Sequence, residues 1–212
     1  MNIRVNNLTI HYRQTALFQN VGFDVLSGQK VCIAGQSGSG KTSLLKALMG
    51  LIVPDEGQIL INQQLLTEKS VWQLRKHIAY VPQEPDLGEG LVIDRIRCPF
   101  DYYSNSDLTW NREAVLDYCQ RFRLNEELLD KETAELSGGE KQRFALIIAL
   151  LLERPILLLD EPFSALDKET KTIIKEQLRQ DTSHTILFVS HEDALLEIAD
   201  KTIELTALGG KR

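Results

Sequence analysis

The octapeptide GQSGSGKT, residues 35–42, constrains its surroundings more than any other stretch of the chain. Gly35, Gly38 and Gly40 let the backbone curl until its N–H groups converge. Lys41 and Thr42 then bring an ammonium and a hydroxyl to the same place. The preceding stretch, KVCIAG at 30–35, is an apolar run ending in glycine, the pattern of a strand buried on both faces of a parallel sheet. The following stretch, TSLLKALMG, has the apolar spacing of a helix that stops at Gly50. Strand, glycine-rich loop and helix in that order form the context that gives G-x-x-x-x-G-K-[ST] its meaning. Backbone donors surround phosphate oxygens, Lys41 reaches the β- and γ-phosphates, and the Thr42 hydroxyl is a ligand for Mg²⁺. Gln36, Ser37, Ser39 and Ser43 complete the candidate cradle. A glycine turn that only joins strand to helix is the plainer alternative.

The rest of the chain continues the alternation. IRVNNLTIHY (3–12) and VGFDVL (21–26) read as short, partly alternating strands, and PDEG at 54–57 as a turn before the strand QILIN. HIAYVPQ (77–83) is again strand-like. From about 84 to 135 the character changes: Pro85, Gly88, Gly90 and Pro99 punctuate it, followed by helical patterns around 111–122 and 125–131. PILLLD (155–160) and TILFVS (185–190) resume the buried strands, with a helix near 168–180 between them. Strands alternating with helices predict an α/β fold with a mostly parallel sheet. A length of 212 residues is enough for a sizeable core.

Charge and composition exclude several classes. The net charge of −6, without any basic block, argues against a nucleic-acid partner, whose phosphates need a basic face. Cys32, Cys98 and Cys119 are odd in number and far apart, so they predict reduced, mostly buried thiols rather than a disulfide or metal framework. The N-terminus lacks the apolar stretch of a leader peptide. The longest apolar candidate, FALIIALLLERPILLLD, is cut by Glu153, Arg154 and Pro155, short of the ~18 residues of a membrane span. A cytoplasmic chain is expected, any membrane contact coming through a partner.

A second glycine turn stands about a hundred residues after the first. In ELSGGEKQR (135–143), Ser137 precedes Glu140 by three residues, the signature of a capping box. Gly138 and Gly139 open the helix, and a helix start of this kind favours anions through free N–H groups and the helix dipole. Taken alone, a plain capping box is the simpler reading. In ILLLDEP, Asp160 ends a buried strand, where it can hold Mg²⁺ through water. Glu161, one residue on, is placed to act as general base toward a water attacking the γ-phosphate.

GQSGSGKT, VPQ, LSGGEKQR, LLLDEP, SALD and VSHE, in that order and over essentially the whole chain, resemble the ATP-binding-cassette ATPases. LSGGE beside a phosphate loop is the most specific element. The resemblance implies a single domain over 1–212: a phosphate-loop core, a small N-terminal antiparallel β subdomain, and a helical subdomain inserted over about 84–150. It implies ATP and Mg²⁺ as cofactors and head-to-tail pairing with a second cassette, most simply an identical one. Each ATP then lies between one copy's phosphate loop and the other's Ser137, Gly138, Gly139 and Glu140.

Further roles follow only from the resemblance. Tyr12 is similar to the aromatic that stacks on adenine, and Gln83 to the glutamine that contacts Mg²⁺ and the attacking water. His191 is similar to the histidine that holds the γ-phosphate, and Asp167 to the residue that communicates across the dimer. His11, His77 and His184 read as surface or packing residues. Ile148 departs from the many relatives that carry arginine there, and the stretch CPFDYY (98–103) is similar to compact cassettes proposed to serve metal export. The segment after Gln83 is where such proteins receive a helix from a transmembrane permease subunit. The implied function is the ATP-hydrolysing subunit of a membrane transporter, peripheral on the cytoplasmic face. A soluble scaffold ATPase, of the kind that assists iron–sulfur assembly, uses the same compact cassette. DNA-maintenance cassettes interpose long coiled coils, and only 94 residues without sustained heptads separate Lys41 from Leu136.

Overall fold

The computed structural model describes residues 2–13, 15–190 and 196–206. In chain order its elements begin with β1 (Ile3–Tyr12), β2 (Thr15–Val25), β3 (Lys30–Ala34), α1 (Lys41–Leu48) and β4 (Glu56–Ile61). They continue with β5 (Gln64–Leu65), α2 (Val71–Arg75), β6 (Ile78–Val81), α3 (Val92–Arg97) and α4 (Arg112–Arg121). The last are α5 (Gly138–Leu151), β7 (Ile156–Asp160), α6 (Lys168–Gln180), β8 (Thr185–Val189) and β9 (Lys201–Glu204). Short 3₁₀ turns occupy Cys98–Asp101, Tyr103–Asn105, Glu126–Asp130 and Thr133–Glu135.

Among the described residues the strands form two sheets. One is antiparallel, ordered β2-β1-β4-β5, and the other is parallel, ordered β6-β7-β8-β3-β9. Side chains alternate across the parallel sheet, and both faces are covered. Val31, Ile33, Ile156, Leu158, Leu187 and Val189 pack with α1 and the antiparallel sheet. Cys32, Leu157, Leu159, Ile186 and Phe188 pack with residues of α4, α5 and α6 on the other face. Burial on both faces is why these strands are continuous apolar runs rather than alternating ones.

Three local readings needed tertiary information. β2 begins at Thr15 rather than near 21, because Arg13 adopts a left-handed φ of 57° and turns the chain back at once, pairing Tyr12 with Thr15. The stretch 125–131 forms a 3₁₀ turn rather than an α-helix. β9 is short and largely exposed, with no apolar run to mark it; it lies at the sheet edge beside β3.

Two half-buried charges fasten the core's periphery. Arg154 donates Nη1 to the Arg75 and Ile78 carbonyls and Nη2 to Asn105 Oδ1, joining the start of β6 to the 98–105 turns. Asp181 closes α6: its Oδ1 accepts from the Ser183 and His184 backbone N–H groups at 2.8 and 3.0 Å, and its Oδ2 from His184 Nδ1 at 2.6 Å. Burial alone would raise the Asp181 carboxyl's pKa, but the donors from His184 and Ser183 outweigh it and hold the group well below the usual carboxylate range. A depressed folded-state pKa contributes stability that is present above the ordinary carboxylate value and lost as pH falls below it. Asp181→Ala is therefore expected to lower unfolding free energy by about 1–3 kcal/mol at pH 7. The deficit relative to wild type should shrink progressively below about pH 4, as measured by urea titration across that range.

Candidate functional site

The phosphate loop leaves the C-terminal end of β3 and runs into α1 through Gly40, whose φ is 91°. A Cβ on Gly40 would stand 2.9 Å from the Phe18 ring, so glycine is required there by both backbone and space. No side chain caps the start of α1, which leaves its first-turn N–H groups for a ligand. Lys41 is buried, and its Nζ donates to the carbonyls of Gly35 at 2.9 Å and Gln36 at 3.0 Å. Burial is the larger influence on this ammonium and lowers its pKa, against the opposing pull of Glu161 and Asp160. Ser39 is fully buried within the loop, and its Oγ has no hydrogen-bond partner among the described residues.

Asp160, 1% exposed at the end of β7, meets this loop directly: the Thr42 hydroxyl donates to its Oδ1 at 3.1 Å. Its Oδ2 accepts from the Tyr80 hydroxyl of β6 at 3.2 Å. Burial first, and Asp160 second, push the Tyr80 hydroxyl well above the usual phenol range. Glu161 follows with a left-handed φ of 49°, and its N–H donates to the Val189 carbonyl at 3.0 Å. A non-glycine residue at positive φ is uncommon and concentrates at functional positions.

Lys41, Thr42 and Glu161 open onto one cavity of about 560 Å³, within the range of small-molecule sites, while Gly35, Gln36, Ser39 and Asp160 do not line it. Tyr12, Ser37, Gly38, Gly40, Lys41, Thr42, Ser43, Gln83 and Glu161 line it. Tyr12 is 62% exposed, and the Arg13 guanidinium lies 5.4 Å from its ring centroid. A flat base stacking on Tyr12 would therefore share the ring with a cation. The lining suits a nucleoside polyphosphate: an uncapped helix start and a buried ammonium for phosphates, an exposed aromatic for a base. The Thr42 hydroxyl beside the Asp160 carboxylate is the all-oxygen donor set of a hard divalent cation such as Mg²⁺. His191 lies outside the described residues.

Ser137, Gly138, Gly139 and Glu140 do not line this cavity. Ser137 caps α5: its Oγ accepts from the Glu140 N–H at 3.3 Å while Glu140 Oε2 accepts from the Ser137 N–H and Oγ–H at 2.8 and 2.7 Å. Burial works against the Glu140 carboxylate, but these donors hold its pKa below the usual range. A Cβ on Gly139 would lie 2.7 Å from the Ala165 carbonyl oxygen, so α5 begins pressed against the SALD turn. Asp167 caps α6, accepting from the Glu169 and Thr170 N–H groups. Ser137 and Gly138 remain exposed.

Two residues near these sites carried no sequence signal. Tyr80 is an ordinary strand tyrosine until the fold places Asp160 beside it. Arg143 donates Nη1 to the Phe122 and Arg123 carbonyls and Nε to Gly139, tying the end of α4 to the start of α5. Only its place within LSGGEKQR could have marked it.

Lys41→Ala is expected to reduce steady-state ATP hydrolysis by at least about a hundredfold, since a preorganised charge facing the transferred phosphoryl is commonly worth that much. Phosphate release assayed in parallel with the wild type checks this; undiminished turnover would remove the phosphate loop from the site.

The chain matches the ABC transporter family over residues 18–164. It is 32% identical over 212 residues to the ergothioneine transport ATP-binding protein EgtV of Helicobacter pylori, covering 97% of this chain and 98% of that one. It is 33% identical over 213 residues to the energy-coupling factor transporter ATP-binding protein EcfA1 of Oenococcus oeni, covering 96% and 75% respectively. Its fold superposes on the dimeric structure of a bacterial ABC transporter cassette with a TM-score of 0.82 at 26% identity, covering 99% of this chain and 97% of that one. The chain belongs to the ABC transporter family, as one of its ATP-binding, ATP-hydrolysing subunits.

Proposed function

We propose that ATP binds with its phosphates in the 35–43 loop and its base against Tyr12, and that two copies of the chain close head to tail over two such nucleotides. The supporting observation is the separation described above: a second, exposed, glycine-opened helix start that takes no part in the chain's own nucleotide cavity. Facing a partner's cavity, the N–H groups of Gly138 and Gly139, joined by the Ser137 hydroxyl once it leaves Glu140 Oε2, supply donors that meet a γ-phosphate only while that phosphate is present. ATP then joins the copies and hydrolysis releases them.

Within each site Thr42, Asp160 and Gln83 are the residues that would hold Mg²⁺. The cation, when bound, neutralises charge developing on the phosphate oxygens. The Glu161 carboxylate takes a proton from a water whose oxygen attacks the γ-phosphorus, while the bond to the β–γ bridging oxygen breaks and ADP leaves. By the resemblance to the family, His191, outside the described residues, is assigned to the γ-phosphate and the attacking water. Lys41 leaves its two loop carbonyls for the β- and γ-phosphate oxygens.

The mechanical output passes to a transmembrane permease subunit. In this reading membrane contact runs through such a partner on the cytoplasmic face; no helix of the described residues is long and apolar enough to cross a membrane. An apolar groove of about 470 Å³ between β6, the 85–102 segment and α5 is the seat for its helix, lined by Tyr80, Pro85, Leu87, Tyr102 and Ile148.

Glu161→Gln keeps the cavity's shape but removes the base. With saturating ATP and Mg²⁺ it is expected to double its mass by light scattering and to return to monomer when ADP replaces ATP. A monomer under saturating MgATP would overturn the composite site. Affinity purification from solubilised membranes should recover a multi-spanning subunit; soluble partners alone would favour a scaffold ATPase.

A further inference from the structure

Two cavities outside the nucleotide site meet at Tyr80. One, of about 470 Å³, lies against the 85–102 segment; the other, of about 280 Å³, lies between Met49, β6 and α5. Tyr80, Ala145 and Ile148 line both, so the two form one groove with the Tyr80 ring in its wall. The hydroxyl of the same side chain donates to Asp160 Oδ2 at 3.2 Å. Strand register explains the reach. Tyr80 pairs with Leu158 in the parallel β6–β7 ladder, and Asp160 is two residues further along on the same face of β7. A diagonal neighbour of this kind lies within range of an aromatic side chain.

We infer that Tyr80 is a positioning residue that acts through Asp160, coupling what occupies the groove to the Mg²⁺ site; the coupling half rests on the proposed seating of a permease helix there. Asp160 is almost fully buried, and each of its oxygens has one donor, Thr42 on Oδ1 and Tyr80 on Oδ2. That pair selects a single rotamer and leaves Oδ1 toward Thr42, where the cation is held. Without the phenol, a buried anionic oxygen loses its donor, and the carboxylate turns to recover one. The bond is also adjustable. At 3.2 Å it is longer than the about 2.7–2.8 Å of a relaxed O–H···O contact, so a ring shift of a few tenths of an ångström changes its strength in either direction. A side chain pressed into the groove from outside moves this ring.

Tyr80→Phe removes the hydroxyl and keeps the ring, so the groove retains its shape. Titration calorimetry of the isolated variant with ATP in EDTA should give a Kd within about twofold of wild type. The Mg²⁺ concentration needed for half-maximal enhancement of ATP binding should rise about three- to tenfold, the worth of one typical net hydrogen bond. A purely packing role for Tyr80 would leave the Mg²⁺ dependence unchanged, and that result overturns the inference. In the complex with its membrane subunit, Tyr80→Phe should co-purify normally yet lose most of the permease-dependent stimulation of hydrolysis; full stimulation overturns the coupling. Ile148→Asp, which places a charge in the groove, separates the two ideas. Normal co-purification of that variant removes the proposed seat, while the Mg²⁺ titration of Tyr80→Phe still decides the link to Asp160.

Discussion

The parallel register of β3, β8 and β7 is the constraint on which the rest depends. Val189 stands between Ile33 on one neighbour and Asp160 on the other, so three strands end at one level. The phosphate loop leaves β3 just beyond that level, and Glu161 follows β7 there. Loop and carboxylates come from positions more than a hundred residues apart, yet the Thr42 hydroxyl reaches Asp160 within a hydrogen bond. No local preference could hold such a pair. It is held by the packing of these strands between α1 and the antiparallel sheet on one face and α4, α5 and α6 on the other.

The same sheet keeps the second anion site away from the first. α5 starts against the Ala165 carbonyl, with Arg143 fastening it to the end of α4, and Arg123 pairs with Glu169 of α6. These contacts set the Ser137 cap relative to the SALD turn rather than relative to the phosphate loop. Under the proposed head-to-tail pairing, this helix start would serve a second copy's nucleotide, and Asp167, capping α6 next to that turn, would lie beside the shared surface.

Much of this was legible in the residues. The buried strands announced themselves as apolar runs, the phosphate loop by its glycines between strand and helix, and the capping box by Ser137 and Glu140. Those are local signals: a period, a turn residue, a spacing of three. What could not be read was set by distant partners. Nothing around Tyr80 indicates a carboxylate two places along a neighbouring strand. The bonds from His184, expected as a surface or packing residue, to Asp181 are the exception, a local turn spanning three residues. The left-handed backbone of Glu161 likewise has no sequence marker, since the Val189 carbonyl that its N–H meets is supplied by β8. β9 was illegible for the opposite reason: as an exposed edge strand it has no apolar pattern to display.

Lys41 joins these threads electrostatically. Two carboxylates share its surroundings, yet burial prevails and its pKa is lowered. The loop meets that deficit provisionally, through the Gly35 and Gln36 carbonyls, which are dipoles rather than charges. A polyphosphate replaces dipoles with full negative charge at the place where the ammonium is under-compensated, which is a stronger partnership in a partly desolvated site. Asp160 cannot supply it, because its oxygens are already turned to Thr42 and Tyr80. A bound polyphosphate therefore adds charge that the neighbouring carboxylates do not fully provide against burial.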